Sequence, residues 1–280
     1  MKFADIVAAL ERAGIDDAPF EAALILEHCM GIKRYEINIC RDRDYVSGRL
    51  SELLLRRCRR EPLQYLFGSW YFYGREFVLN RSTLIPRPDT EITVEKASEL
   101  LPEKARFCDI GTGSGAIAVT VLAERPDTTA VATDISPEAL AAASENALRL
   151  GVADRLITVH NDILKESEAL TEAHSPFDAV VSNPPYIPTE EIKRLEPELA
   201  YEPSAALDGG ADGMTFYRAI ISACRGRLLS PGGLLIFEAG IGEAADIIAL
   251  GGASGFSGSA FRDLSGTDRC VVLRKKKSEE

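Results

Sequence analysis

The 280-residue sequence, with 46% hydrophobic and 27% charged residues, is long enough for one large or two modest domains with a packed core. A net charge of −11 argues against tight binding to nucleic-acid phosphates, and no apolar stretch reaches the length of a membrane span. Six scattered cysteines without a Cys-x-x-Cys pair predict reduced thiols in a cytoplasmic protein. Three histidines, none spaced four residues from another, predict no metal site.

The first 60 residues carry apolar side chains at helical spacing, for example Ile6, Val7 and Leu10. We therefore predict a small helical domain over residues 1–60. A basic cluster closes this segment and is either a solvated helix face or a contact for a substrate protein or RNA. The cluster comprises Arg56, Arg57, Arg59 and Arg60.

Residues 61–85 differ in composition, because aromatic side chains such as Trp70 and Phe77 crowd around Gly68 and Gly74. This composition favours a short β-hairpin that links two domains. The remaining residues, 86–280, form the third and largest predicted domain, which begins with an extended Pro-x-Pro entry into a helix.

Predicted strands and helices alternate from Arg106 onward. The predicted strands cover residues 107–110, 130–133, 156–160, 177–181, 234–238 and 270–273, with helices over 115–124, 137–150 and 213–229. This alternation predicts an α/β fold with a mostly parallel sheet and helices on both faces. The glycine-rich stretch 251–258 is weakly patterned, and the charged tail 274–280 is expected to fray.

The segment Asn183-Pro184-Pro185-Tyr186 follows the fourth of these strands. Because neither proline has an N–H, the chain leaves the sheet here, at the strand end where open α/β sheets bind ligands. The proline carbonyls and the Asn183 side-chain carbonyl accept hydrogen bonds, and Tyr186 adds a ring. Such a cluster suits a planar –NH2 group, although a proline-rich turn that only ends a strand has the same local pattern.

A glycine-rich loop joins the first strand to its helix and reads Gly111-Thr112-Gly113-Ser114-Gly115. Glycines at a helix N-terminus let the backbone approach a ligand closely. The spacing differs from that of dinucleotide sites, and no lysine is present for a phosphate loop. Asp109, just before the loop, would repel a pyrophosphate but could hold an ammonium group.

Acidic residues also follow the next two strands. Asp134 can accept both hydroxyls of a ribose, and Asp162 can accept from an adenine amino group. We assign Ile163 to the same cofactor site. An amino acid, a ribose and an adenine together make S-adenosylmethionine, although a glycine turn with helix-capping acids would share these features.

Residues 109–115, Asp134 and the Asn-Pro-Pro-Tyr segment resemble the class I S-adenosylmethionine-dependent methyltransferases, and the Asn-Pro-Pro-Tyr form resembles their amino and amide N-methyltransferases. Further segments narrow the resemblance to the release factor glutamine methyltransferases (the PrmC/HemK family). These segments are Pro62-Leu63-Gln64-Tyr65, Leu84-Ile85-Pro86-Arg87-Pro88-Asp89-Thr90-Glu91, Tyr201-Glu202-Pro203 and Gly209-Gly210-Ala211-Asp212-Gly213. The resemblance implies a Rossmann-like domain with a mostly parallel seven-stranded sheet, joined to an N-terminal helical bundle by the hairpin.

The resemblance also implies an activity: N5-methylation of the glutamine amide in the Gly-Gly-Gln motif of class I peptide chain release factors, with S-adenosylmethionine as donor. The Asn183 side-chain carbonyl and the Pro184 carbonyl would accept the two amide N–H bonds, and Tyr186 would pack on the amide plane. Pro185 belongs to the same substrate site, and Asn183 also to the cofactor site. We expect residues 1–60 to dock the protein substrate, without a membrane or direct nucleic-acid contact.

Three alternatives stay open at this point. A nucleic-acid amino methyltransferase shares the acceptor cluster. A glutamine methyltransferase acting on a ribosomal protein is harder to separate by these motifs. A non-catalytic module could keep the fold only for binding. The sequence also departs from the family where a glutamine usually follows the Glu-x-Gly after the fifth strand. Here Glu238-Ala239-Gly240 precedes Ile241-Gly242-Glu243, a change that we expect to affect the sheet edge and not the site.

Overall fold

The computed structural model of the protein describes residues 1–276, which divide into two units. The first unit comprises Met1–Gly68 and Glu196–Tyr201, and the second comprises Ser69–Leu195 and the chain from Glu202 onward. The predicted hairpin forms within the second unit, where β1 and β2 pair in antiparallel fashion. The first unit extends past the predicted residue 60 to Gly68.

The first unit is built from helices whose apolar positions recur at helical spacing. Ile6 and Leu10 of the first helix, Ile25 and Leu26 of the second and Leu50 of the fourth are fully buried in one core. The five helices are α1 (Phe3–Arg12), α2 (Ala18–Met30), α3 (Ile37–Cys40), α4 (Gly48–Cys58) and α5 (Leu63–Phe67).

The basic cluster at the end of α4 is largely occupied by ion pairs inside this unit. The Arg57 guanidinium lies 2.6 Å from Glu21 Oε2 and 2.9 Å from Glu198 Oε1, and only 6% of its side chain is exposed. Arg60 Nη2 donates to Glu198 at 2.8 Å, and Arg56 also forms an ion pair. Arg57 is therefore neither a solvated residue nor available to a substrate, because its charge is buried and paired.

The second unit contains a seven-stranded sheet in the order β5-β4-β3-β6-β7-β9-β8, in which β9 runs in the direction opposite to the other six strands. The predicted α/β fold with a mostly parallel seven-stranded sheet is confirmed. The strands of this unit are β1 (Ser69–Phe72), β2 (Arg75–Val78), β3 (Arg106–Ile110), β4 (Thr129–Asp134), β5 (Leu156–His160), β6 (Phe177–Ser182), β7 (Leu229–Glu238), β8 (Phe256–Arg262) and β9 (Asp268–Lys275).

The helices of this unit precede β3 or connect successive strands of the seven-stranded sheet. They are α6 (Glu91–Leu100), α7 (Ala116–Glu124), α8 (Pro137–Arg149), α9 (Ser167–His174), α10 (Thr189–Ile192), α11 (Thr215–Ala223) and α12 (Ala244–Ala253). Strands β4 and β5 follow β3 on one side of the sheet, and β6 and β7 lie on the other side, so the strand order reverses between β3 and β6. The carboxyl ends of β3 and β6 therefore flank the crevice where open α/β sheets bind ligands.

The glycine-rich stretch 251–258 is more regular than its sequence predicts, since it holds the end of α12 and the start of β8. A Cβ on Gly258 would lie 2.7 Å from a Leu273 methyl group, so this glycine permits close packing of neighbouring strands. Arg274 and Lys275, which were predicted to fray, pair with β8 as part of β9. Residues 277–280 of the predicted frayed tail lie outside the described residues.

Within residues 1–276, every helix is too short or too polar to cross a membrane. The same residues contain no group of three or more His, Cys, Asp or Glu side chains that could hold a metal ion. All six cysteines are free thiols, three of them buried and three half-buried.

Candidate active site

The glycine-rich loop between β3 and α7 is fixed by the end of the neighbouring strand β4. The backbone N–H groups of Gly111 and Thr112 both donate to the Thr133 carbonyl, at 2.8 and 2.9 Å. The Gly113 N–H donates to Asp134 Oδ2 at 2.9 Å. Adjacent parallel strands thus hold the loop in one conformation, with its backbone against the crevice.

Asp109, at the end of β3, holds this loop through hydrogen bonds to the loop and to the start of α7. Its Oδ2 accepts hydrogen bonds from Thr112 Oγ1 at 2.7 Å and from the Ala118 N–H at 3.1 Å. The side chain is fully buried, and burial raises its pKa to about 6. We predicted that Asp109 holds an ammonium group, but the structure places it behind the cavity wall, because its carboxylate turns toward the start of α7.

Gly115, the last residue of the loop, also lies outside the cavity lining. It adopts a left-handed φ of 80°, and a Cβ at this position would lie 3.1 Å from the Ala143 Cβ. Gly115 therefore allows α7 to begin close against α8, which is a packing role that its place in the loop does not reveal.

Asp134, at the end of β4, lines the cavity. Its Oδ1 accepts from the Ser136 N–H at 2.9 Å, while Oδ2 accepts from Gly113. Burial raises its pKa, and backbone hydrogen bonds oppose that shift. Because a carboxylate oxygen can accept more than one hydrogen bond, both oxygens retain capacity for the two hydroxyls of a ribose.

Asp162 and Ile163, which follow β5, also line the cavity. Asp162 Oδ1 accepts from the Leu164 N–H at 3.0 Å, and Oδ2 lies 2.8 Å from Lys165 Nζ. The hydrogen bond from Lys165 lowers the Asp162 pKa, so this carboxylate is ionised at neutral pH. Ile163 is buried and offers an apolar surface for a flat ring.

The Asn-Pro-Pro-Tyr segment begins where β6 leaves the sheet. Ser182 Oγ donates to the Ile110 carbonyl at 2.6 Å and so ties the end of β6 to the end of β3. Asn183, Pro184 and Pro185 line the same cavity as the glycine-rich loop.

Tyr186 lies outside the lining, although it was predicted to pack on the substrate amide. It packs against the buried core between the sheet and its helices, and burial raises its pKa to about 12. The two preceding prolines direct the chain away from the strand, and the ring follows the chain into the core.

One cavity of about 610 Å³ joins these residues, a volume typical of sites for small molecules. Ten of the thirteen predicted site residues line it. They are Gly111, Thr112, Gly113, Ser114, Asp134, Asp162, Ile163, Asn183, Pro184 and Pro185. The strand-end pattern of the sequence therefore brings most of the predicted site residues into one cavity.

Other lining residues come from segments without strand-end signals. Leu84, Pro86, Arg87 and Thr90 precede α6, Pro203, Ala206 and Asp208 lie between β6 and α11, and Phe216 lies in the first turn of α11. Glu202 joins the two segments, because Oε2 accepts from the Ile85 N–H at 3.1 Å and Oε1 pairs with Arg87. Both segments carry motifs of the family resemblance, which was the available signal for them.

The sequence departure after Glu238 lies beside the Asn-Pro-Pro-Tyr segment. The expectation that it affects only the sheet edge is therefore wrong. Glu243 Oε2 accepts from the Gly240 N–H at 3.0 Å. A Cβ on Gly213 would lie 2.8 Å from Glu243 Oε1 and 2.4 Å from the Tyr186 carbonyl oxygen. Burial raises the Glu243 pKa to about 7.

The cavity fits S-adenosylmethionine, because Asp134 and Asp162 offer acceptors for hydroxyl and amino groups and the glycine loop offers open backbone. The fold and this site define a class I S-adenosylmethionine-dependent methyltransferase. Family models agree: the methyltransferase small domain matches residues 90–210 and the PrmC N-terminal domain matches residues 3–68. The chain belongs to the release factor glutamine methyltransferase family, as its curated relatives show.

Two such relatives are named release factor glutamine methyltransferase. The protein from Geobacter sulfurreducens is 40% identical over 267 residues, which cover 94% of this chain and 91% of the relative. The protein from Cereibacter sphaeroides is 39% identical over 283 residues, covering 98% and 99%. A solved methyltransferase from Pyrococcus furiosus shares the fold, with a TM-score of 0.56 at 18% identity over 79% of this chain and 98% of that chain.

Proposed function

We propose that this protein methylates the N5 side-chain amide of the glutamine in the Gly-Gly-Gln motif of class I peptide chain release factors. One observation carries the proposal: Asn183 and Pro184 line the same cavity as the glycine loop and Asp134. Hydrogen-bond acceptors for an amide therefore share one space with the residues suited to the methyl donor. The family of the curated relatives supports the same substrate.

The cofactor site would consist of the loop backbone from Gly111 to Ser114 together with Asp134, Asp162 and Ile163. S-adenosylmethionine, when bound, supplies a methyl group made electrophilic by its sulfonium. The Asp134 carboxylate would accept the ribose hydroxyls, and Asp162 would accept from the adenine amino group. Ile163 would pack against the adenine ring.

Asn183 and Pro184 would hold the nucleophile. An amide nitrogen is a poor nucleophile, since its lone pair is delocalised into the carbonyl. The Asn183 side-chain oxygen and the Pro184 backbone oxygen would accept its two N–H bonds and fix its orientation. The same oxygens would stabilise the positive charge that grows on nitrogen in the transition state. The proton lost from the methylated amide would pass to water, without a strong general base.

We further infer that the helical N-terminal domain docks the protein substrate. A glutamine side chain offers too few contacts to select one protein, so selection needs surface away from the amide. Exposed apolar side chains on the first unit support this role, since Tyr35 and Ile39 are 79% and 87% exposed. With Arg57 buried in ion pairs, these side chains are better candidates than the basic cluster.

The test is methylation of purified release factor with isotope-labelled S-adenosylmethionine, followed by mass spectrometry of the Gly-Gly-Gln peptide. We expect one methyl group on the glutamine and none on a release factor whose motif glutamine is replaced by alanine. Ribosomal proteins and ribosomal RNA, assayed in parallel, test the two rival methyltransferase functions. Label that enters a ribosomal protein or ribosomal RNA but not the release factor would overturn the proposal.

A further inference from the structure

We infer that Glu238 is a positioning residue whose buried carboxylate, together with Thr90, orients the Asn183 side-chain amide so that its oxygen faces the cavity. This inference deepens the proposed function and rests on it for the role of Asn183 in methyl transfer. Catalysis requires an acceptor at this point, and an asparagine presents an acceptor only when its amide is turned the right way.

The sheet brings the two side chains together. Strands β6 and β7 are parallel neighbours in which Ser182 pairs with Phe237, so the next residues, Asn183 and Glu238, stand side by side. Only 1% of Glu238 is exposed. Its backbone is held as well, because Tyr217 Oη donates to the Glu238 carbonyl at 2.8 Å.

Thr90 completes the arrangement from the start of α6. Asn183 Nδ2 donates to Thr90 Oγ1 at 3.4 Å. Burial raises the Glu238 pKa to about 7, while the neighbouring Thr90, Arg269 and Asn183 side chains favour its ionised form. The buried Oε2 of Glu238 has no hydrogen-bond partner, so it can still accept one. The residue before Thr90 is anchored too, since Asp89 Oδ2 lies 3.1 Å from the buried Arg269 guanidinium.

In its ionised form the Glu238 carboxylate can only accept hydrogen bonds, and in that form it sets the orientation of the amide. The Asn183 nitrogen already donates to Thr90, and its second N–H would find an acceptor in Glu238. A flipped amide would bring its oxygen against the carboxylate, and two acceptors would face each other in a buried site. The oxygen of Asn183 is therefore directed to the cavity side, where it can accept from the substrate amide.

Glu238→Met tests this inference, because methionine fills a similar volume without an acceptor. We expect kcat on release factor to fall about 10- to 100-fold, the effect of a misplaced catalytic group. Cofactor affinity should stay within about twofold, and thermal stability should hold or rise, since replacing a buried charge by an apolar side chain is often stabilising. Glu238→Gln, which keeps an acceptor oxygen, should recover most of the loss.

Controls separate positioning from a general structural role. Glu243→Gln changes another carboxyl group near the end of β7 that bonds to Gly240, and it should leave kcat within about twofold. In an Asn183→Ala background, Glu238→Met should have no further effect on kcat, because residues that act as a unit are not additive. A full additional loss in that background, or an unchanged kcat in Glu238→Met alone, would overturn the inference.

A second measurement does not depend on the identity of the substrate. In ¹⁵N-labelled protein, the Asn183 side-chain NH2 signals, assigned by their absence in Asn183→Ala, should be protected from exchange with water. Glu238→Met should lose that protection, and Thr90→Val should reduce it. Unchanged protection in Glu238→Met contradicts the inference. If the wild-type protein shows the protected Asn183 signals but does not methylate release factor, the proposed function is contradicted and the inference about Glu238 is not. If Glu238→Met does not fold, the Thr90→Val result decides.

Discussion

In the first unit, Glu198 lies between Arg57 and Arg60, whereas in the second unit Glu238 is buried near Thr90, Arg269 and Asn183, and its Oε2 has no hydrogen-bond partner. Burial raises the pKa of both glutamates. For Glu198 the hydrogen bonds from Arg60 and Arg57 outweigh burial and lower the pKa below its usual value. For Glu238 burial dominates and raises the pKa to about 7.

The difference separates a framework from a site. A buried carboxylate between arginines stabilises one arrangement of the chain and remains charged. Buried carboxyl groups with raised pKa values, such as Asp109 and Glu238, lie next to lining residues of the cavity in the second unit. Perturbed groups of this kind are typical of functional sites. Changes in the first unit should therefore alter stability or docking, and changes at the cavity of the second unit should alter cofactor binding or turnover.

The largest effect should come from Arg57→Ala in the first unit. Removing the arginine leaves the carboxylates of Glu21 and Glu198 without this partner, and breaking a buried pair costs about 3–5 kcal/mol. Hydrogen exchange should rise in peptides of residues 1–68, while the thermal transition of Trp70 fluorescence, in the second unit, stays in place. Arg59→Ala, an exposed neighbour, is the control. If the temperature of the Trp70 transition falls as much as the stability of residues 1–68, the distinction between the two units is contradicted.

Asn183→Ala should be the largest change of function. We expect kcat on release factor to fall about 10²- to 10³-fold, equivalent to about 2.7–4 kcal/mol, since one preorganised transition-state contact is lost. Cofactor affinity, measured by calorimetric titration, should change little. A variant that keeps more than about half of wild-type kcat would contradict the catalytic role, and a loss of cofactor binding alone would assign Asn183 to the cofactor.

Asp134→Ala should weaken the binding of S-adenosylmethionine by about 1–3 kcal/mol, the cost of losing hydrogen bonds to a charged group. Calorimetric titration measures this change. The affinity of Asp134→Asn, which keeps one acceptor oxygen, should fall between those of wild type and Asp134→Ala. Unchanged affinity in Asp134→Ala would remove Asp134 from the cofactor site. Binding of NAD in place of S-adenosylmethionine would reject the site as a whole.

The pH dependence of stability should have opposite signs in the two units. The Glu243 pKa is raised from 4.5 to about 7, so its stabilising contribution is fully present below about pH 4.5 and is lost as the pH rises through 7. Glu243→Gln should remove about 1–2 kcal/mol of this dependence from the Trp70 transition. Glu198 has a lowered pKa, so its contribution is lost as the pH falls below 4.5. Equal slopes in wild type and Glu243→Gln would contradict the assignment.

The smallest effect should come from the exposed apolar side chains of the first unit. Tyr35→Ser and Ile39→Ser should each lower kcat/KM on intact release factor by about 0.5–1.5 kcal/mol, as is usual for contacts in a docking interface. Turnover of a short Gly-Gly-Gln peptide should stay the same. Leu264→Ser, at an exposed position of the second unit, is the matched control. Equal losses on peptide and protein would show that docking is not the cause.

The sequence by itself determined the fold class and most of the cavity. Alternating strands and helices imply a parallel sheet, and the carboxyl ends of parallel strands meet at one edge. The residues that follow those strands, including Gly113, Asp134 and Asn183, are therefore brought together by topology alone. Local patterns were sufficient because each of these residues is placed by the end of its own strand.

Only the tertiary structure decided which residues support the site and which occupy it. Thr90 meets Asn183 from 93 residues away, and Glu198 meets Arg57 from 141 residues away. Asp109 belongs to the predicted cluster in sequence, yet its carboxylate turns behind the loop. Such contacts depend on strand register, rotamer and burial, which are set when distant segments pack and leave no periodic signal in the chain.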